Sequence, residues 1–143
     1  MTKNLKIISF FILLVSMFNC TNQKVKPTNL DAVSANFVGK WKGEEKNQQV
    51  EGAKKSWEIN RKTDGTFVVK FVIQYEGEKP MKHQESGKWW LKDGKYYEYN
   101  NLSELTDVYN YEILNDEQIK FSADQLSVEF NNENYEFIDT RVK

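Results

Sequence analysis

Apolar and polar residues alternate with a period of two from Phe37 to the C-terminal end of the chain. Side chains on a β-strand point to opposite faces in turn, so each apolar file can line one interior surface. The files are Phe37, Gly39, Trp41 and Gly43; Trp57 and Ile59; Phe67, Val69, Phe71, Ile73 and Tyr75; Gly87, Trp89 and Leu91; Tyr97 and Tyr99; Tyr109, Tyr111 and Ile113; Ile119 and Phe121; Leu126, Val128 and Phe130; and Tyr135 and Phe137. This pattern predicts an all-β fold of about eight or nine short strands without a long helix.

Turn signals separate these files at short intervals. Asp64-Gly65 and Asp93-Gly94 are the strongest signals, because a two-residue hairpin turn needs positive φ angles. Short connections between consecutive strands favour an antiparallel up-and-down barrel, and a β-sandwich is the alternative.

The N-terminal end of the chain has the pattern of a signal peptide. Residues 1–19 begin with a short basic segment that contains Lys3 and Lys6, and residues 7–18 then form an uncharged apolar run. A run of twelve uncharged residues, of which two are serines, fits a signal peptide and is too short to span a bilayer as a helix. The run ends just before Cys20, after which the sequence becomes polar.

A lone Cys directly after such a run resembles the lipobox of bacterial lipoproteins. That resemblance implies cleavage before Cys20 and acylation of its thiol and of the new amine. Met17 and Asn19 stand where the usual lipobox has Leu and a small residue. Thr21, rather than Asp, after the Cys implies sorting to the outer membrane. The alternative is an ordinary secretory signal followed by an incidental Cys.

The mature chain is then predicted to have two parts. Residues 20–36 are the lipidated Cys and a tether, and residues 37–143 are the barrel domain. Within the tether, the spacing of Leu30, Val33 and Phe37 predicts one or two helical turns, although a loop fits equally well.

Charge and composition exclude several classes of function. The chain has 20 basic and 21 acidic residues, and loss of the signal lysines leaves a net charge of −3. A nucleic-acid-binding protein usually shows a clustered basic excess, which is missing here. One Cys and one His make a disulfide framework or a metal site built from these residues unexpected.

The first and last strands carry the most specific motif. Gly39-Lys-Trp41 resembles the first-strand Gly-x-Trp signature of the lipocalin and fatty-acid-binding-protein group, in which an Arg on the last strand packs across the Trp. Arg141 is the matching residue. The resemblance implies that Gly39, Trp41 and Arg141 form a cap at the closed end of the barrel, where a guanidinium can stack on the indole.

The middle of the chain resembles small bacterial lipocalin-like domains in two places. The matching segments are Asp64-Gly65-Thr66-Phe67 and Gly87-Lys88-Trp89. Fatty-acid-binding proteins insert a helical lid after the first strand. Only 15 residues separate Trp41 from Trp57, which leaves no room for that lid.

The predicted activity is non-catalytic binding of a small apolar or amphipathic ligand in the cell envelope, without a cofactor. The candidate lining residues are Trp57, Phe67, Phe71, Trp89, Tyr97 and Tyr111. The alternative is a filled barrel that binds a protein partner through its outer surface. An interior cavity of about 300 Å³ or more favours the ligand binder.

No residue pattern singles out a catalytic centre, so we do not expect an enzyme. His83 is expected in an exposed loop or at a strand edge. Trp90 is expected to point outward, where it could contact a partner. Asp139 either pairs with Arg141 inside the barrel or faces solvent.

Overall fold

A computed structural model describes residues 32–127 and 134–143. The elements in chain order are α1 (Ala32–Ala35), β1 (Gly39–Lys46), β2 (Ala53–Arg61), β3 (Thr66–Tyr75), β4 (Met81–Lys92), β5 (Lys95–Asn100), β6 (Thr106–Asn115), β7 (Gln118–Gln125) and β8 (Glu136–Arg141). Because α1 has four residues, the described ranges contain no helix that could cross a membrane.

The eight strands form a closed barrel in which each strand pairs antiparallel with its neighbours in sequence. β1 and β8 close the barrel through the pairs Trp41 with Arg141 and Lys42 with Thr140. This architecture confirms the predicted up-and-down barrel, and α1 lies just before its first strand.

The Asp-Gly turns set the register as their sequences require. Asp93 and Gly94 both have positive φ angles, of 52° and 73°, and join β4 to β5 with Lys92 opposite Lys95. At the other Asp-Gly turn, the Asp64 carboxylate accepts hydrogen bonds from the backbone N–H and the hydroxyl of Thr66, at 2.9 and 2.6 Å. Both hairpins are therefore fixed locally by turn chemistry.

Phe37 plugs one end of the barrel, which we call the closed end; β1 begins there and β8 ends there. Its side chain is fully buried. The centroids of four other rings lie 5.0 to 6.2 Å from its centroid: Trp89, Tyr96, Tyr111 and Phe121. Aromatic side chains thus fill the closed half of the barrel, and the opposite end is the open end.

Two of the predicted files differ from the structure. Tyr97 lies on the outer face and stacks on Trp90 at 5.3 Å, whereas Tyr96 points inward and is 1% exposed. The two-residue turn causes this register, because it pairs Trp90 with Tyr97 and Leu91 with Tyr96. Leu126 comes just after β7 rather than within a further strand, and Val128 and Phe130 lie outside the described residues.

Candidate functional site

The closed end carries the predicted cap. The Arg141 guanidinium lies 4.1 Å from the centroid of the Trp41 ring and also donates to the carbonyls of Asn36 and Val38. Gly39 has a φ of 119°, and a Cβ there would lie 2.9 Å from Nη1 of Arg141. Glycine at this position therefore allows both the backbone conformation and the approach of the Arg.

A network of buried polar side chains packs against the aromatic core inside the barrel. Arg61 and Asp139, 2% and 0% exposed, form an ion pair in which Nη2 donates to Oδ2 at 2.7 Å. Arg61 Nε donates to the hydroxyl of Tyr96 at 2.9 Å, and this hydroxyl donates to Glu98 at 2.7 Å. The guanidinium also lies over the rings of Tyr96 and Phe121. One side of Arg61 therefore contacts the filled half of the barrel.

The other side of this network borders an interior cavity of about 320 Å³. Its apolar and aromatic lining is Trp57, Ile59, Val69, Phe71, Tyr109, Tyr135 and Phe137. Its polar lining is Gln49, Lys55, Arg61, Glu85, Glu98, Asn100 and Asp107. The barrel is thus filled at the closed end and hollow toward the open end.

Burial shifts the pKa of several side chains at the cavity. Desolvation raises the pKa of Glu98 above its ordinary value and lowers that of Lys55. Burial also raises the pKa of Tyr109, which keeps its hydroxyl protonated. Lys55 donates to Gln49 at 2.9 Å and lies 4.7 Å from the centroid of the Phe71 ring.

Side chains bridge the seam between β1 and β8 where the backbone ladder stops after two pairs. The Trp57 indole covers Gly43 so closely that a Cβ at this glycine would overlap the ring. Its Nε1 donates to Oδ1 of Asp139 at 2.8 Å. Nearer the open end, the backbone N–H of Glu136 donates to the side chain of Gln48 at 3.1 Å.

A shallow groove of about 1240 Å³ follows this seam on the outer face and is larger than the interior cavity. Polar and charged residues form most of its lining, and the charged ones come from β1, β2, β3, β7 and β8. Trp57 and Phe137 line both the groove and the interior cavity, and their ring centroids lie 5.1 Å apart. These two side chains therefore separate the groove from the cavity. We place the candidate site in the interior, where buried polar groups and aromatic walls converge.

The six predicted lining residues fall into three groups. Trp57 and Phe71 line the cavity. Phe67, Trp89 and Tyr111 belong to the packed aromatic core instead. Tyr97 was predicted to face inward and is on the outer face.

Asp139 points inward, as one of the two sequence alternatives proposed, but its partner is Arg61 and not Arg141. His83 and Trp90 are exposed, as expected.

Sequence reasoning missed Arg61, although it continues the Trp57 and Ile59 file at the same spacing of two. It also missed Glu98, whose inward position follows from counting forward along β5 from the Asp93-Gly94 turn, which places it opposite Trp89.

Comparison with known proteins gives no match to a family model or to a curated protein. Within residues 32–127 and 134–143, no group of three or more His, Cys, Asp or Glu side chains forms a metal site. The functional conclusion therefore rests on the cavity and on the residue patterns.

Proposed function

We propose that this protein is a lipid-anchored, lipocalin-like lipoprotein that binds one small amphipathic ligand inside its barrel, without catalysis and without a cofactor. The cavity of about 320 Å³ carries this proposal, since specific ligand sites start at about 300 Å³. Aromatic walls with a few convergent polar groups are the usual lining of such sites.

Anchoring through Cys20 completes the proposal. The only Cys of the chain stands directly after the apolar run, where a lipobox requires it. Two or more acyl chains hold a protein on a membrane stably, whereas one chain holds it weakly. The barrel would then face the periplasm from the outer membrane, and nucleic acid is not a proposed partner.

Trp57 offers a direct test of ligand binding, because its indole lines the cavity. Titration of the purified full chain with naphthalene or 1-octanol should change its tryptophan fluorescence saturably. The Trp57→Phe variant should still bind in calorimetry but lose most of the fluorescence change. If calorimetry detects no binding of either probe to the wild-type protein, the ligand site is refuted.

One observation favours a second candidate function, an outer surface that binds a protein partner. Trp90 is 38% exposed and stacks on Tyr97 with an interplanar angle of 9°. Aromatic side chains are enriched at protein interfaces. If wild type binds neither probe and Trp90→Ala abolishes capture of a specific envelope protein, the surface function replaces the ligand site.

A further inference from the structure

Nη1 of Arg61 is a buried donor without a partner. Among the described residues it is the single buried side-chain nitrogen or oxygen that lacks a hydrogen bond. The other two nitrogens of the guanidinium donate to Tyr96 and Asp139, neither of which lines the cavity. An unsatisfied donor on a charged group is costly to bury. Arg61 itself lines the cavity, and because Nη1 is buried, an acceptor within the cavity reaches this nitrogen through a small shift of the guanidinium.

The charges around the cavity decide what kind of acceptor fits. Asp139 already neutralises Arg61 at 2.7 Å. Apart from the hydroxyls of Tyr109 and Tyr135, the remaining ionisable groups of the lining are the amine of Lys55 and the carboxyl groups of Glu85, Glu98 and Asp107. A ligand carboxylate would enter a cavity with an excess of acidic groups and lose its hydration. A neutral oxygen acceptor can bind Nη1 without adding negative charge.

We infer that the ligand presents an uncharged oxygen acceptor, such as an amide or ester carbonyl, to Nη1 of Arg61, and that its apolar part lies against Phe71 and Phe137. This inference rests on the proposed ligand site and specifies the ligand's chemical class. The volume limits its size: at about 30 Å³ per water-sized group, the cavity holds about ten non-hydrogen atoms.

Three eight-carbon probes of nearly equal size test the head group. Octanamide, octanoate and octylamine differ in charge but have similar shapes, and each can be titrated into the purified full chain by calorimetry at pH 7. We expect octanamide to bind at least about tenfold more tightly than octanoate or octylamine, because octanoate adds a negative charge to an acidic cavity and the ammonium of octylamine offers Nη1 no acceptor. Tighter binding of either charged probe would overturn the inference.

A paired substitution tests the role of Arg61. Arg61→Met together with Asp139→Asn removes both charges at once, which avoids leaving one buried charge alone. This variant should bind octanamide about tenfold or more weakly than wild type, and this loss should exceed any change in its affinity for naphthalene, which has no oxygen acceptor. Lys62→Met is a control for the loss of a positive charge outside the cavity, because Lys62 is adjacent to Arg61 and exposed.

The outcomes separate this inference from the proposed function. Unchanged octanamide affinity in a folded double variant would mean that Arg61 does not hold the head group. If naphthalene binds and none of the three probes does, the cavity takes an apolar ligand and the acceptor inference fails alone. If neither naphthalene nor any probe binds, the proposed function fails together with it. Should the double variant not fold, the order of the three probes on wild type decides.

Discussion

At the residue scale, the ion pair between Arg61 and Asp139 is the most consequential contact in the barrel. Both side chains are almost fully buried, and Asp139 also accepts a hydrogen bond from Trp57. A buried pair contributes little net stability, since its attraction only offsets desolvation. Its consequence is positional: it fixes the guanidinium at the boundary of the cavity and the indole over the seam between β1 and β8.

Substitution of one member of the pair should lower the free energy of unfolding far more than substitution of both together. Asp139→Asn leaves the Arg61 charge buried without its counter-ion and should lower the free energy of unfolding by about 3–5 kcal/mol. The double variant Arg61→Met/Asp139→Asn should be more stable than the sum of the two single effects implies. Urea denaturation of all four proteins measures this coupling, and additive effects would contradict a direct pair.

Ionisation of Glu98 should lower the free energy of unfolding as pH rises. Burial raises its pKa in the folded protein, so the folded state holds this proton more tightly than the unfolded chain does. The stabilisation is fully present below the ordinary Glu pKa of 4.5 and is lost as pH rises through the folded value.

Glu98→Gln removes this titration and keeps an oxygen that can accept from Tyr96. Thermal unfolding measured from pH 4 to pH 8 should show the variant gaining stability relative to wild type as pH increases. A constant difference between the two curves across this range would show that Glu98 does not titrate abnormally.

From the sequence, the contact partner of a buried side chain was harder to predict than whether that side chain points into the barrel. The spacing along β8 placed Asp139 on the inner face as one alternative, yet the sequence offered Arg141 as the nearest cation. The actual partner, Arg61, comes from β2, 78 positions away in the sequence. The barrel's curvature brings these strands together across the interior, and single-strand periodicity carries no information about contacts across it.

At the scale of the elements, turn chemistry fixes which faces the strands present. The Asp93-Gly94 turn pairs Leu91 with Tyr96, so the inward file of β4 determines that of β5. Period-two reading of β5 alone was ambiguous, because Tyr96, Tyr97 and Tyr99 place aromatic residues on both faces. Counting outward from the turn resolves this ambiguity and would have corrected the prediction for Tyr97.

Two tyrosine substitutions test this register. Tyr96→Ala removes a side chain that packs on Phe37 and Phe121 and should lower the free energy of unfolding by about 3–5 kcal/mol. Tyr97→Ala loses a stacking contact with Trp90 on the outer face and should cost about 0.5–1.5 kcal/mol. Equal or reversed costs in denaturant titrations would contradict the inward position of Tyr96.

At the scale of the whole molecule, the barrel is divided into a packed half and a hollow half. Turns and alternation are local signals and predicted the antiparallel barrel, whereas the stacking of Arg141 on Trp41 was implied by the resemblance of Gly39-Lys-Trp41 to the Gly-x-Trp signature. The sequence could not predict where the interior is filled. That depends on side chains from all eight strands meeting in three dimensions, and three of the six candidate lining residues pack into the core instead.

Membrane attachment is a property of the full chain and remains a prediction. Cys20→Ala should release the protein into the soluble envelope fraction or leave it uncleaved, because the thiol that would carry the lipid is lost. Fractionation and a mobility shift on gels measure this. A variant that is processed and membrane-bound like wild type would contradict the lipoprotein assignment.

If the hollow half of the barrel binds a small ligand, a larger side chain that fills it should block binding. Val69 is buried and lines the cavity, whereas its neighbour Val68 lies on the outer face of the same strand. Calorimetric titration with naphthalene should show at least about tenfold weaker binding to a stably folded Val69→Phe variant and unchanged binding to Val68→Phe. Binding to Val69→Phe as tight as to wild type would contradict a ligand site inside the barrel.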